Sequence, residues 1–133
     1  MMHLDKNALV AVIDTSSETR GLIRTWFERK GIKVLAFTSA QAALFTLSSP
    51  DFEEHLSLLI SDLYISGDEL TGKTLADQLV RRHPGMQTWL LINRPVDMDL
   101  AFLEKCTGYS FIPAPNKKSA LQRQLKTDFL VAA

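Results

Sequence analysis

The sequence has little of several features that would indicate a particular class of protein. Its one cysteine, Cys106, excludes an internal disulfide and a metal site built from cysteines alone. The histidines, His3, His55 and His83, are far apart in the sequence, so we expect them at the surface rather than in a metal cluster. No apolar run reaches the ~18 residues that cross a bilayer, and residues 1–7 carry no signal-peptide pattern. We therefore expect a cytoplasmic protein without membrane contact.

The motifs of common enzyme classes are also missing. The sequence has no glycine-rich phosphate loop and no Ser-His-Asp spacing, so we do not expect an enzyme. Positive charge is not in excess, because 15 Lys and Arg residues balance 15 Asp and Glu residues, and we expect no nucleic-acid binding by this domain. A length of 133 residues, 46% of them hydrophobic, predicts one domain over residues 1–133.

Short apolar segments alternate with longer segments of helical periodicity along the whole chain. Because the apolar segments are short and continuous, each is typical of a strand that is buried on both faces. Alternation of this kind predicts an α/β fold, with a parallel sheet covered by helices on both sides. The predicted strands are residues 8–13, 33–37, 56–61, 88–92 and 109–112, and the predicted helices are residues 18–30, 38–47, 74–82, 97–105 and 117–129.

Polar residues and a proline-rich turn follow these strands, at the sheet edge where such folds bind their ligands. Asp14 and Asp62 each end an apolar strand, Asn93 follows the fourth, and Pro113-Ala114-Pro115 follows the fifth. Two adjacent carboxylates could hold Mg²⁺, and one of them could instead accept a phosphoryl group. The alternative is that each aspartate only caps the loop or helix that follows it.

The wider pattern resembles the receiver domain of two-component signalling, the CheY-like family. The resemblance rests on VIDTSSETRGLIRTWFERKGIKVLAFTSAQAAL, LLISDLYISG, RRHPGMQTWLLIN and YSFIPAP in this order, and extends from about Ala8 to Leu125. It implies a flavodoxin-like five-stranded parallel sheet of order 2-1-3-4-5. In that family the aspartate that ends the third strand accepts phosphate from a histidine kinase, and Asp62 lies at this position.

Other site positions of the family are only partly matched. Asp14 matches the first of two acids that bind Mg²⁺, but Thr15 stands at the second. Ile92 stands where the family has a hydroxyl residue, and Ala114 stands where it has a lysine. Phe111 matches the aromatic residue that rotates on activation.

Each departure has a physical meaning. Thr15 removes a negative charge, so Mg²⁺ remains a possible cofactor but its binding should be weakened. Phosphoryl transfer depends on positioning and on neutralising the phosphoryl oxygens, and Ile92 offers no hydroxyl and Ala114 no cation for this task. Asn93, next to Ile92, can donate one hydrogen bond.

The resemblance also implies a backbone feature. In receivers the peptide bond before the proline that follows the lysine is cis, and an X-Pro bond tolerates this at a cost of only ~0.5–1 kcal/mol. We therefore predict a cis bond between Ala114 and Pro115.

The resemblance favours an atypical or pseudo-receiver, which acts by protein contact with weak or no phosphorylation. Its expected partners are a histidine kinase, an output domain or a second copy of the chain. The usual contact surface of the family would include Phe102, Tyr109, Phe111 and Leu121. The alternatives are a working receiver phosphorylated on Asp62 and, less favoured, a small α/β ligand-binding domain or enzyme.

Overall fold

A computed structural model describes residues 2–5, 7–65, 71–92, 99–114 and 117–131 of the chain. Its strands are β1 (Met2–Leu4), β2 (Leu9–Ile13), β3 (Lys33–Phe37), β4 (Leu58–Asp62), β5 (Gln87–Ile92), β6 (Ser110–Pro113) and β7 (Phe129–Val131). Its helices are α1 (Ser17–Glu28), α2 (Ala40–Leu47), α3 (Gly72–Arg82), α4 (Leu100–Thr107) and α5 (Lys117–Asp128).

The central sheet has five parallel strands in the order β3-β2-β4-β5-β6. Counted within this sheet the order is 2-1-3-4-5, so the predicted fold class and strand order are confirmed. Strands β2 and β4 are buried at every position, as their continuous apolar sequences indicated. This sheet therefore brings the ends of β2, β4 and β5 together at one edge.

Helices cover both faces of the sheet and create two separate hydrophobic cores. The first core lies under α1 and α5, where Ile23, Phe27 and Leu121 pack against alternate strand residues. The second core lies under α2, α3 and α4 and takes the strand residues of opposite parity. Because successive strand side chains point to opposite faces, the parity of a residue decides which core it joins.

Polar caps set where the helices begin. Ser16 and Ser39 accept backbone hydrogen bonds from Thr19 and Ala42 at the starts of α1 and α2. The fourth helix begins at Leu100, with Asp99 as its cap. Residues 97 and 98, where this helix was predicted to start, lie outside the described residues.

A second, two-stranded sheet was not predicted. Strand β1 pairs in parallel with β7, with Met2 opposite Phe129 and Leu4 opposite Val131. The last helix consequently ends at Asp128 rather than at residue 129. In the described part of the chain no helix is long and apolar enough to cross a membrane.

His83 is fully buried, so its expected surface position was wrong. Its Nδ1 accepts a hydrogen bond from the Leu56 amide at 3.0 Å, and its Nε2 donates to the Leu47 carbonyl oxygen at 2.7 Å. The ring is therefore neutral, with its proton on Nε2. It ties together the ends of α2 and α3 and the chain that enters β4. His55, whose ring lies 5.5 Å from that of His83, is exposed as expected.

Protonation of His83 is expected to destabilise the fold, because the protonated Nδ1 cannot accept from Leu56. Burial lowers the pKa of His83; the bond to Leu47 acts against this shift, and His55 and Arg82 add to it. The unfolded histidine, with a pKa of about 6.5, then binds more protons than the folded one, so stability falls as pH decreases below about 6.5.

Urea unfolding between about pH 5.5 and pH 8 measures this dependence. We expect His55→Gln to retain the pH dependence of the wild type and His83→Gln to lose it. A wild-type free energy of unfolding that stays constant across this range would contradict the assignment.

Candidate functional site

Asp14 and Asp62 lie side by side at the carboxyl ends of β2 and β4. The parallel register pairs Ile13 of β2 with Ser61 of β4, so the residues that follow them, Asp14 and Asp62, are also neighbours. Neighbouring strands are about 4.8 Å apart. Both side chains are buried, with 1% of Asp14 and 4% of Asp62 exposed. The structure therefore brings the two predicted carboxylates together at one edge of the sheet.

The backbone and side chain of Asp14 are held by several hydrogen bonds. Its Oδ1 accepts from the amide of Ser16 at 2.8 Å, and its own amide donates to the Phe37 carbonyl at 3.1 Å. Arg20 Nη1 donates to the Asp14 carbonyl oxygen at 2.7 Å. Sequence analysis missed Arg20, because only the folded turn into α1 shows that it reaches back to the strand end.

The start of α3 packs directly against the backbone of Asp62. A Cβ atom at Gly72 would lie 2.0 Å from the Asp62 carbonyl oxygen and 3.1 Å from Leu90 Cδ2. The Gly72 amide donates to the Leu63 carbonyl at 2.7 Å, which fixes the chain just after Asp62. Close approach of two backbones requires a glycine here.

The altered positions are distributed around this edge. Thr15 is exposed, so the position of the second acid faces solvent. Ile92 is buried in the second core. Asp62 follows Leu58 and Ile60 at every second position of β4, so it lies on the other face of the sheet, that of the first core. Ala114 is fully buried in the first core, and its amide donates to the Ile92 carbonyl at 2.7 Å. Asn93 and Pro115 lie outside the described residues, so the cis Ala114–Pro115 bond remains a prediction.

The expected contact surface is largely buried. Only Phe102 of its four residues is exposed, at 61%, whereas Tyr109, Phe111 and Leu121 retain 9% or less. Phe111 shares the second core with Ile92, and its amide donates to Glu104 Oε1 of α4 at 2.9 Å. The expectation that Tyr109, Phe111 and Leu121 lie on a contact surface was therefore wrong, whereas Phe102 is exposed.

Tyr109 is instead joined to α3. Its hydroxyl donates to Asp77 Oδ1 at 2.6 Å, while Lys73 Nζ donates to Asp77 Oδ2 at 2.8 Å. Burial alone raises the pKa of Asp77, but the two hydrogen bonds and nearby cations outweigh it and lower the pKa. Burial and the Asp77 carboxylate raise the pKa of Tyr109. This link between α3 and Tyr109, the residue just before β6, was not visible in the sequence, since the partners are far apart along the chain.

The donors at this edge fit a divalent metal poorly. Two carboxylates are available, Asp14 already accepts one backbone hydrogen bond, and Thr15 stands at the position of the second metal-binding acid. Within the described ranges, no group of three or more His, Cys, Asp or Glu residues could hold a metal ion. A hard cation such as Mg²⁺ takes six oxygen ligands, so fewer protein charges mean weaker retention.

Comparison with known proteins identifies the fold. No family model matches the chain, and no curated protein matches it in sequence. Solved structures do match: a response regulator from Thermotoga maritima has 22% identity and a TM-score of 0.65, with 90% of this chain and 94% of that chain covered. A CheY-like receiver domain protein from Methanospirillum hungatei JF-1 has 14% identity and a TM-score of 0.63 over the same shares.

A third match is a Burkholderia pseudomallei response regulator whose structure contains a phosphorylated aspartic acid, a calcium ion and citrate. It has 22% identity and a TM-score of 0.63, and the match covers 90% of this chain and 69% of that one. Together with the strand order, these similarities show that the chain has the fold of a response-regulator receiver domain.

The contact between Gly72 and Asp62 gives a prediction about stability. A methyl group at Gly72 collides with backbone rather than with a flexible side chain, so Gly72→Ala should destabilise the domain by about 3 kcal/mol or more. Urea unfolding measures the change.

Gly21 is the matched control, because a Cβ there meets nothing within 4 Å. Gly21→Ala in the exposed face of α1 should stabilise by about 0.5–1 kcal/mol. Equal effects of the two substitutions would show that α3 does not depend on close approach to Asp62.

Proposed function

We propose that this chain is a receiver-type signalling domain of a two-component system or phosphorelay that acts by protein contact, with weak or no phosphorylation. One observation carries the proposal: Asp62 lies beside Asp14 at the expected edge, but Thr15, Ile92 and Ala114 stand at the positions where the receiver family has an acid, a hydroxyl residue and a lysine. We take residues 1–133 as one receiver-like domain without catalytic activity of its own, and its site of action as the cytoplasm.

The chemistry of phosphoryl transfer supports weak phosphorylation. The transferred group carries negative charge on its oxygens, and catalysis depends on cations and hydrogen-bond donors placed around it. The Ala114 side chain ends at its methyl group inside the first core, and Ile92 packs in the second. Neither can contribute to charge neutralisation, and with two carboxylates Mg²⁺ binds weakly.

The second core also argues against the usual switch. Ile92 has no hydroxyl with which to bind a phosphoryl oxygen, so its side chain gains nothing by moving toward Asp62. Phe111 is buried beside it, and its amide is bonded to Glu104 of α4. The bond from Tyr109 to Asp77 joins the start of the same strand, one residue before Ser110, to α3. Moving Phe111 outward would disturb a strand that is held by two helices.

Partner binding therefore takes the place of a phosphorylation cycle in this proposal. The candidate partners are a histidine kinase, an output domain or a second copy of the chain. Each of these partners can bind one fixed surface of the domain without phosphorylation of Asp62.

A working phosphoacceptor is the second candidate function. The adjacency of two buried carboxylates favours it, because Asp14 and Asp62 occupy neighbouring positions on paired strands. In this case Asp62 accepts phosphate from a histidine kinase despite the altered neighbours.

Incubation with acetyl phosphate and Mg²⁺, followed by intact-mass measurement, separates the two candidates. A receiver with a complete site, treated in parallel, shows that the reagent is active. We expect the wild-type chain to remain essentially unmodified, as Asp62→Asn must. Stoichiometric addition of one phosphoryl group to the wild type, absent in Asp62→Asn, would overturn the proposal and establish the second candidate.

A further inference from the structure

Charge is distributed unevenly over this neutral chain. The described side chains of α1, of the two residues that follow it and of α5 include seven cations and two carboxylates, a net charge of +5. Since the whole chain has no net charge, the remaining residues carry −5. We call the cationic set the basic face: Arg20, Arg24, Arg29, Lys30, Lys118, Arg123 and Lys126.

The basic face is one continuous surface. Helices α1 and α5 pack on the same side of the sheet over the first core. Lys118 Nζ lies 4.0 Å from Glu18 Oε1, which brings the first turns of the two helices together. Arg20 is half-buried and the other six cations are exposed. Two adjacent helices of 12 residues each present a surface about 18 Å long and two helices wide.

Ordinary solvation of helices explains this surface poorly. Solvated helix faces usually intersperse both signs of charge. On α1 this holds locally, because Arg24 pairs with Glu28 at 3.2 Å. On α5, however, residues 118–126 contain no acid at all. Concentrating one sign of charge costs stability through repulsion, and a bound anion relieves that cost.

We propose that the basic face docks an acidic surface of a partner protein. This names the partner chemistry of the proposed function and rests on it. Charge complementarity supplies the argument, since oppositely charged patches steer association and set its orientation. At about 18 Å by about 20 Å the face covers roughly 360 Å², less than half of the about 800 Å² that one partner gives to a standard interface, so it fits a small, transient contact.

The same observations disfavour nucleic acid. A long polyphosphate extends past a surface of this size and meets the remainder of the chain, whose net charge of −5 repels it. Glu18 and Glu28 also interrupt the cations on α1. A short acidic patch on a protein can contact the cations alone, without reaching the acidic remainder of the chain or these two glutamates.

Trp26 adds an apolar element to the face. It is half-buried on α1, and Lys30 Nζ lies 4.6 Å from its ring centroid. Tryptophan and arginine are the residues that most often dominate the binding energy of protein interfaces. Trp26 is thus placed to give an acidic partner apolar contact beside the ionic ones, and its fluorescence can report binding.

A polyglutamate peptide tests the surface with the full chain at low salt. Backbone amide shifts should change in α1 and α5, and binding should weaken as salt is raised. Arg29→Glu with Lys126→Glu should weaken binding at least about tenfold, because two exposed charges are reversed. Arg81→Glu with Lys105→Glu, which reverses the same number of exposed charges elsewhere, should leave it nearly unchanged.

Three results would overturn the proposal. They are no binding of polyglutamate at low salt, amide shifts outside α1 and α5, and equal weakening of binding by both double variants. Tighter binding of a DNA duplex than of polyglutamate would replace it with a nucleic-acid partner. Asp62 takes no part in this test, so Asp62→Asn should bind polyglutamate like the wild type. A failed charge test therefore leaves the phosphorylation result standing, and the reverse also holds.

Discussion

The parallel pairing of β2 with β4 is the interaction on which the site depends. One register, with Ile13 opposite Ser61, places Asp14 beside Asp62 and buries both. A slip of one residue would exchange the side chains that each strand gives to the two cores, so close packing on both faces favours one register. The carboxylate pair is thus a consequence of how the sheet is packed, and the contact of Gly72 with Asp62 fastens α3 to the same point.

Packing of the sheet holds Asp14 and Asp62 in place. Their positions therefore do not depend on which side chains stand at positions 92 and 114. Ile92 and Ala114 are well accommodated as core residues, each in a different core. Apolar side chains at these positions avoid the cost of burying a hydroxyl or an ammonium group without a partner. The same substitutions remove the groups that would recognise a phosphoryl group. In this chain the requirements of folding and those of phosphoryl chemistry therefore diverge at the same few positions.

Much of the fold could be predicted from the sequence, because strands buried on both faces have a distinct apolar signature. The strand order and the site positions came from the resemblance to receivers, since periodicity alone does not order strands. What could not be predicted depends on contacts between distant residues. His83 is buried because two backbone groups satisfy its ring, and Tyr109 turns inward because Asp77 accepts its hydroxyl. The β1–β7 pair joins the two ends of the described chain, where no local pattern indicated a strand.

In the proposed function, Thr15, Ile92 and Ala114 are the reason that Asp62 is phosphorylated weakly or not at all. The direct test is the rate of modification by acetyl phosphate in a variant carrying Thr15→Asp, Ile92→Thr and Ala114→Lys. Thr15→Asp alone changes an exposed position and leaves both cores intact, so it serves as a variant whose folding is unperturbed. We expect the triple variant to react at least about a hundredfold faster than the wild type, the effect of restoring a charge-stabilising donor. A wild type that reacts as fast as a correctly folded triple variant would contradict it.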